Sequence, residues 1–226
     1  MRIILLGPPG GGKGTCARFI SEKYNLVNIS MGNIIRNFLL NNKNLLLTNK
    51  LNKFIHKGIM IPDDITFKIF KKKISNLNCN KGFLLDGFPR NILQAHILKK
   101  EKININIVLE LYIPNTKIIQ RIIGRKIHLP SGRTYHTTFN PPKIKDRDDI
   151  TGEKLITRTD DNIITINNRL KEYSEQTKPL IKYYKKEFFK KKILYKKIDN
   201  TLSIIDVQKQ INNILQSFQI KNFNFK

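Results

Sequence analysis

The chain has 226 residues, 40% of them hydrophobic, enough to bury a sizeable core in one domain or one core with inserted subdomains. No apolar run approaches the ~18 residues of a membrane-spanning helix, and Ile3-Ile4-Leu5-Leu6, cut off by Gly7-Pro8-Pro9, is too short for a signal-peptide core, so a cytoplasmic protein is expected. Forty-two basic against 17 acidic residues give a formal charge of +25, while two cysteines, Cys16 and Cys79, exclude a disulfide framework and point to reduced, mostly buried thiols.

The first element predicted is a short buried strand over Arg2–Leu6, an apolar run that stops at a glycine. A glycine-rich loop follows over residues 7–15. Helical spacing begins at Lys13 and runs to about Tyr24, with Ala17, Phe19 and Ile20 turned inward. Further strands are predicted at 26–29, 82–85, 105–113 and 193–198, separated by helical patterns. Alternation of strand and helix implies parallel β-α-β units, hence an α/β fold with the loops after the strands gathered on one sheet edge.

Two segments break that rhythm. Residues 30–61 read as short helices rich in Asn and Lys. Residues 124–161 hold Pro130, Gly132, Pro141, Pro142 and Gly152 around the stretch Thr134-Tyr135-His136-Thr137-Thr138-Phe139, and read as a small β-rich insertion. From Lys182 to Lys197, lysines interleave with Tyr183, Tyr184, Phe188, Phe189 and Leu194, a buried face beside a solvated one. Residues 217–226 lack clear periodicity and are expected to be a loosely held tail.

The basic excess has two readings. Positive surfaces attract phosphate backbones, so nucleic-acid binding is one. Compositional drift is the other: Lys, Asn and Ile all have AT-rich codons and are abundant throughout the chain. Drift is favoured because the charge is spread rather than gathered into an arm or stripe, and no nucleic-acid partner is expected.

The sharpest chemical signal is Gly7-Pro8-Pro9-Gly10-Gly11-Gly12-Lys13-Gly14-Thr15, which has the spacing of a Walker A loop between strand and helix. Glycines let backbone N–H groups curl into a nest around phosphates, and the following helix turns its positive end toward them. Lys13 supplies a mobile point charge. Gly14 stands between Lys13 and Thr15, where a hydroxyl residue usually follows the lysine. The second signal is Phe83-Leu84-Leu85-Asp86-Gly87-Phe88-Pro89-Arg90. A strand ending at Asp86 offers a carboxylate for magnesium through water, Gly87 allows close ligand approach, and Arg90 can fork onto a monophosphate.

Together, Gly-Lys-Gly-Thr and Asp-Gly-Phe-Pro-Arg resemble the adenylate kinase family of nucleoside monophosphate kinases, and the bacterial long-lid type in particular. The resemblance runs from Met1 to about residue 215. It implies a five-stranded parallel sheet flanked by helices, forming a core of residues 1–29, 62–123 and 162–226. It also implies an AMP-binding subdomain at 30–61 and a lid over ATP at 124–161. The activity implied is reversible, Mg2+-dependent transfer of the terminal phosphoryl group of ATP to AMP, giving two ADP. A monomer is implied too.

Site residues follow from the same resemblance. Gly10, Gly11, Gly12, Lys13, Gly14 and Thr15 match the ATP phosphate loop, Thr134 and Tyr135 match lid contacts to ATP, and Leu202 matches a backbone contact to adenine. Arg36 and Arg90 match residues that hold the AMP phosphate, and Gln94 matches the glutamine that reads the adenine edge. Met31, Ile59, Met60, Ile61, Gly87, Phe88 and Pro89 match the rest of the AMP site. Arg121, Arg125, Arg158 and Arg169 match catalytic arginines; they stay protonated and neutralise charge on a transferring phosphoryl group, and no general base is named. Asp160 and Asp161 match acids that hold the lid arginines. Where some members bind structural zinc, this chain has His128, Ser131, Asp148 and Thr151; hydroxyls are poor zinc ligands, so no zinc is expected and a hydrogen-bonded quartet can take its place. Two positions depart from the family pattern: Met31 stands where Thr is usual and Asn33 where Asp is usual. A helix-capping role is expected for Asn33.

Overall fold

The computed structural model describes residues 1–223. The strands are β1 (Arg2–Leu6), β2 (Val27–Ser30), β3 (Phe83–Asp86), β4 (Ile107–Tyr112), β5 (Arg125–Ile127), β6 (Thr134–His136) and β7 (Leu194–Asp199). Five of them make one parallel sheet in the order β2-β3-β1-β4-β7, and β5 pairs with β6 in a separate antiparallel hairpin. The helices are α1 (Lys13–Tyr24), α2 (Met31–Asn41), α3 (Leu45–Lys57), α4 (Asp63–Ser75), α5 (Ile92–Lys100), α6 (Asn115–Ile123), α7 (Ile163–Glu172), α8 (Pro179–Phe189) and α9 (Ile204–Phe223). A π-helical turn, Tyr173–Thr177, links α7 to α8. All five expected core strands form.

The continuous apolar runs exist because both sheet faces are covered. Side chains alternate across a strand, so β1 feeds two cores. Ile4 and Leu6 join Ile29, Met31, Phe70, Leu85 and Phe88 on one side, while Ile3 and Leu5 join Ile20, Leu84, Leu109, Ile211 and Leu215 on the other. A third cluster of Ile113, Ile118, Ile122 and Ile166 packs α6 against α7. In α1 the buried residues are Cys16, Ala17 and Ile20, with Phe19 only half-buried, so the inward stripe includes a cysteine that the sequence reading left out. Burial pushes the Cys16 thiol up to about 12, helped by the charge of Asp86, which keeps it protonated and unreactive.

Local sequence sets several helix starts. Asn44, Asn91 and Asn162 each accept a hydrogen bond from the backbone N–H three residues on, at 3.0, 2.8 and 2.9 Å, and so cap α3, α5 and α7. Asn33 does not cap: α2 begins at Met31, and the Asn33 Oδ1 accepts from Arg36 Nη2 at 2.6 Å instead.

Two other expectations need correction. Residues 217–223 are not a loose tail; they continue α9, whose Val207, Ile211 and Leu215 recur every four residues and lock its inner face. The rest of that expected tail, 224–226, lies outside the described residues. In α8, Leu180 and Tyr184 form the buried face, but Phe188 and Phe189 are exposed, because they fall at the helix end where the chain leaves the core.

Candidate active site

All five core strands run the same way, so their following loops meet at one sheet edge. There the structure holds a cavity of about 440 Å3, lined by the loop after β1, the start of α2, the segment before α4, the loop after β3, the β5–β6 hairpin, α7 and the loop after β7.

The glycine loop forms its floor. Gly10 and Gly12 have φ of 70° and 74°, a conformation that costs a side-chain-bearing residue dearly. Space forbids a side chain as well: a Cβ on Gly10 would lie 2.4 Å from Ile122, and one on Gly12 would lie 2.8 Å from Asn200 Nδ2. Asn200, immediately after β7, donates from that Nδ2 to the Gly11 carbonyl, and its own carbonyl accepts from Arg121 Nη2 at 2.9 Å. One residue therefore ties the loop to α6. The start of α1 has no side-chain cap among the described residues, and Gly12, Lys13, Gly14 and Thr15 at that start line the cavity.

Lys13 Nζ donates to the Gly7 and Pro8 carbonyls at 2.7 and 2.8 Å, leaving one of its three N–H groups. Burial, with Arg90, Arg125 and Arg169 nearby, pushes its pKa down to about 8 against the pull of Asp86. Arg158 is pushed down to about 9, by burial first and then by Arg125 and Arg36. Its Nε is buried and finds no hydrogen-bond partner among the described residues. A guanidinium hardly ever gives up its proton, so this site holds strained positive charge that an oxyanion would relieve. Burial also lowers the pKa of Arg36, Arg90 and Arg121.

The acids are fewer. Asp161 accepts from Arg125, at 2.8 Å from Nε and also from Nη2. Asp160 pairs with Arg169 on α7 rather than with a residue of the 124–161 segment. Burial alone would raise its carboxyl, but Arg169, Arg158 and Arg36 outweigh it and hold it below the usual range. Asp86, at the end of β3, accepts from Ser30 Oγ at 3.2 Å and keeps its place on the cavity wall.

Of the expected site residues, the cavity brings together Gly10, Gly11, Gly12, Lys13, Gly14, Thr15, Arg121, Arg125, Thr134, Tyr135 and Leu202 on one side. Met31, Arg36, Ile59, Met60, Ile61, Gly87, Pro89, Arg90, Gln94, Arg158 and Arg169 line it elsewhere, with Asp160. Two stand behind the wall. Phe88 is fully buried and stacks on Phe70 at 4.4 Å, so its ring belongs to the core. Asp161 reaches the site through Arg125. The Tyr135 hydroxyl is already committed, donating to Asp148 Oδ1 at 2.9 Å.

The quartet in the 124–161 segment is a network. His128 Nδ1 meets Ser131 Oγ at 2.7 Å, and Thr151 Oγ1 donates to Asp148 Oδ2 at 3.0 Å. Sequence reasoning missed its anchor, Arg133, which forks onto Asp148 at 2.6 and 2.5 Å. That fork holds the Asp148 carboxyl well below the usual carboxylate range. Among the described residues, no group of three or more His, Cys, Asp or Glu side chains could hold a metal ion. No helix among them is long and apolar enough to cross a membrane. Asn200 and Asp63 were also missed. Asn200 follows a strand on the loop-bearing edge, a position that could have flagged it; Asp63 touches the site only through other side chains.

Eight of the chain's ten arginines line this one cavity. Lys13 is the single lysine there among the described residues, and the acids are Asp86, Asp160 and Glu172. Such a lining suits polyanions and can stabilise negative charge. The sequence model of the family described as adenylate kinase matches residues 5–189, a span that includes the glycine loop, the Asp86–Arg90 motif and all the clustered arginines. A phosphate nest, a sheet-edge cavity walled by arginine and this match lead to one conclusion: the chain belongs to the adenylate kinase family, the phosphotransferases that act as nucleoside monophosphate kinases.

Proposed function

We propose that the protein moves the terminal phosphoryl group of ATP onto AMP, reversibly, giving two ADP. The observation that carries this reading is the segregation of cations: in a chain whose ordinary basic residue is lysine, the arginines are concentrated around a single cavity. Lysine serves for solubility, whereas bidentate grip on phosphate needs guanidinium.

The triphosphate lies in the glycine nest, with Lys13 and Arg121 toward its outer phosphates. The monophosphate lies between Arg36 and Arg90, its base in the apolar slot of Met31, Ile59, Met60 and Ile61, read by Gln94. Arg125, Arg158 and Arg169 neutralise charge on the phosphoryl group as it passes in line between the two oxygens. Asp160 and Asp161 keep those guanidinium groups aimed. The residues present suit Mg2+: Asp86 is a hard oxygen donor on the wall beside Lys13, placed to hold the ion through water. When bound, Mg2+ neutralises charge on the phosphates of ATP.

Residues 1–29, 62–123 and 162–226 act as the core, 30–61 as the AMP-binding subdomain and 124–161 as the lid of a long-lid member. A Cβ on Gly132 would come 2.9 Å from Asn33 Nδ2, so the hairpin segment already approaches α2 across the cavity, an arrangement that excludes water from the reacting atoms. Met31 puts a thioether where relatives carry a hydroxyl, and weakens AMP binding modestly. The protein acts as a monomer. The testing experiment is initial-rate kinetics over a panel of nucleoside triphosphates and monophosphates, with and without Mg2+. ATP with AMP and Mg2+ is the expected best combination; a clear preference for another base, or full rates without divalent metal, would overturn the reading.

A further inference from the structure

Asp63 sits at the start of α4, half-buried and outside the cavity lining, yet it closes a network that ends on a cavity residue. Asn91 Nδ2 donates to both Asp63 oxygens, at 3.0 and 2.9 Å, and Gln94 Nε2 donates to Asp63 Oδ1 at 2.6 Å. On their other sides, the Asn91 Oδ1 accepts from the Gln94 backbone N–H at 2.8 Å, and the Gln94 Oε1 accepts from the Arg90 backbone N–H at 2.7 Å. Gln94 is 1% exposed, so what it offers a ligand is fixed by what these partners leave over.

The chemistry of the partners decides the orientation of the amide. A backbone N–H only donates, and a carboxylate only accepts. Turning the Gln94 amide by 180° would set NH2 against the Arg90 N–H and Oε1 against the Asp63 carboxylate, two repulsive contacts in a buried place. Held as it is, Gln94 keeps one N–H donor on Nε2 and one lone pair on Oε1 for the cavity. That order matches an adenine edge, whose ring nitrogen N1 accepts and whose amino group donates. It opposes a 6-oxopurine edge, where N1 carries the hydrogen and the oxygen accepts. Reading the oxopurine needs the turned amide.

We propose that Asp63 is a specificity-determining positioning residue: by holding the Gln94 and Asn91 amides in one orientation, it makes the acceptor site choose a 6-aminopurine over a 6-oxopurine monophosphate. This rests on the reading of Gln94 as the contact to the base. Removing Asp63 takes away one of the two restraints, leaving the Arg90 N–H alone to oppose the turn.

The test compares kcat/KM for AMP and for inosine monophosphate, the nearest monophosphate with a reversed edge, at saturating ATP and Mg2+, in full-length wild type, Asp63→Ala, Asp63→Asn and Gln94→Ala. Asp63→Ala is expected to lower the AMP:IMP ratio roughly tenfold. The change should appear in KM for the monophosphate rather than in KM for ATP. Asp63→Asn keeps the shape and one acceptor, so it should give a smaller loss, and it decides the question if the alanine variant does not fold. Equal losses for AMP and IMP in the Asp63 variants would make Asp63 a purely structural residue and overturn the proposal. If Gln94→Ala lowers the ratio while the Asp63 variants do not, only the role of Asp63 falls. If Gln94→Ala leaves the ratio at its wild-type value, Gln94 does not read the base, and both fall together.

Discussion

Arg125 grips Asp161 through both edges of its guanidinium, Nε donating to Oδ2 at 2.8 Å and Nη2 to Oδ1, and the Asp161 side chain has no exposed surface. Arg125 sits at the foot of the 124–161 segment, and Asp161 sits at its return. Asp161→Asn leaves a crowded cation without its counter-charge. Stability is expected to fall by about 2 kcal/mol, below the cost for a fully buried pair because water still reaches Arg125. Turnover should fall roughly 10²-fold. Calorimetry with and without ADP checks the cause: the nucleotide's phosphates replace the missing negative charge, so saturating ADP should restore part of the lost Tm. An unchanged kcat would show that Arg125 needs no alignment.

Lys13 gives opposite pH signatures for activity and stability. Its pKa in the folded chain is about 8, lowered from 10.5 mainly by burial. The lysine must be charged to hold a phosphate, so kcat/KM for ATP, which reports the free enzyme, should fall as pH rises through about 8. Between about 8 and 10.5 the unfolded chain binds more protons at this position than the folded one. The contribution of Lys13 to the stability of the nucleotide-free protein therefore increases with pH across that window. Lys13→Met should abolish both trends, as read by a pH–rate profile and by urea unfolding at stepped pH.

Asp148 accepts from Arg133, Tyr135 and Thr151, so it organises the segment that packs over the cavity. Asp148→Ala should raise KM for ATP roughly tenfold through loss of this hydrogen-bond network and change KM for AMP much less. If this hydrogen-bond network alone holds the segment, as the poor zinc ligands Ser131 and Thr151 lead one to expect, a strong chelator added without nucleotide should leave the wild-type Tm where it is. A marked fall in Tm on chelation would contradict that.

The chain carries a formal charge of +25, and eight of its ten arginines line one cavity. A positive field speeds capture of nucleotides and is screened by salt. KM for both ATP and AMP should rise roughly threefold between low and high ionic strength. Flat values would leave the surface lysines as drift alone.

Local signals made the scaffold legible. Short apolar-rich runs marked the core strands even where polar residues interrupt them, as Lys196 and Lys197 do in β7, and glycine spacing with Lys13 marked a loop of phosphate-binding type. The arginines were legible only through resemblance, since nothing in a period of two or 3.6 residues says that Arg36 and Arg158 share a cavity. Contacts between distant parts of the chain were not legible at all. Asn200 holds Gly11 across 189 positions, and Asp63 holds Gln94 across 31. Such pairs form because the topology brings their loops to one edge, and their residue types are ordinary in sequence. The end of α9 was not legible because residues 217–223 mix polar and aromatic side chains without a helical period, while the buried Val207, Ile211 and Leu215 that anchor the helix lie before them.

The most direct measurement is the stoichiometry of turnover. Purified protein is mixed with equal ATP and AMP and with Mg2+, and all three adenine nucleotides are followed chromatographically beside the Lys13→Ala variant. The account predicts two ADP for each ATP and AMP consumed, no free phosphate, and a rate at least ~10²-fold lower without Lys13. Release of inorganic phosphate in place of ADP, or ADP formed equally fast by Lys13→Ala, would contradict it.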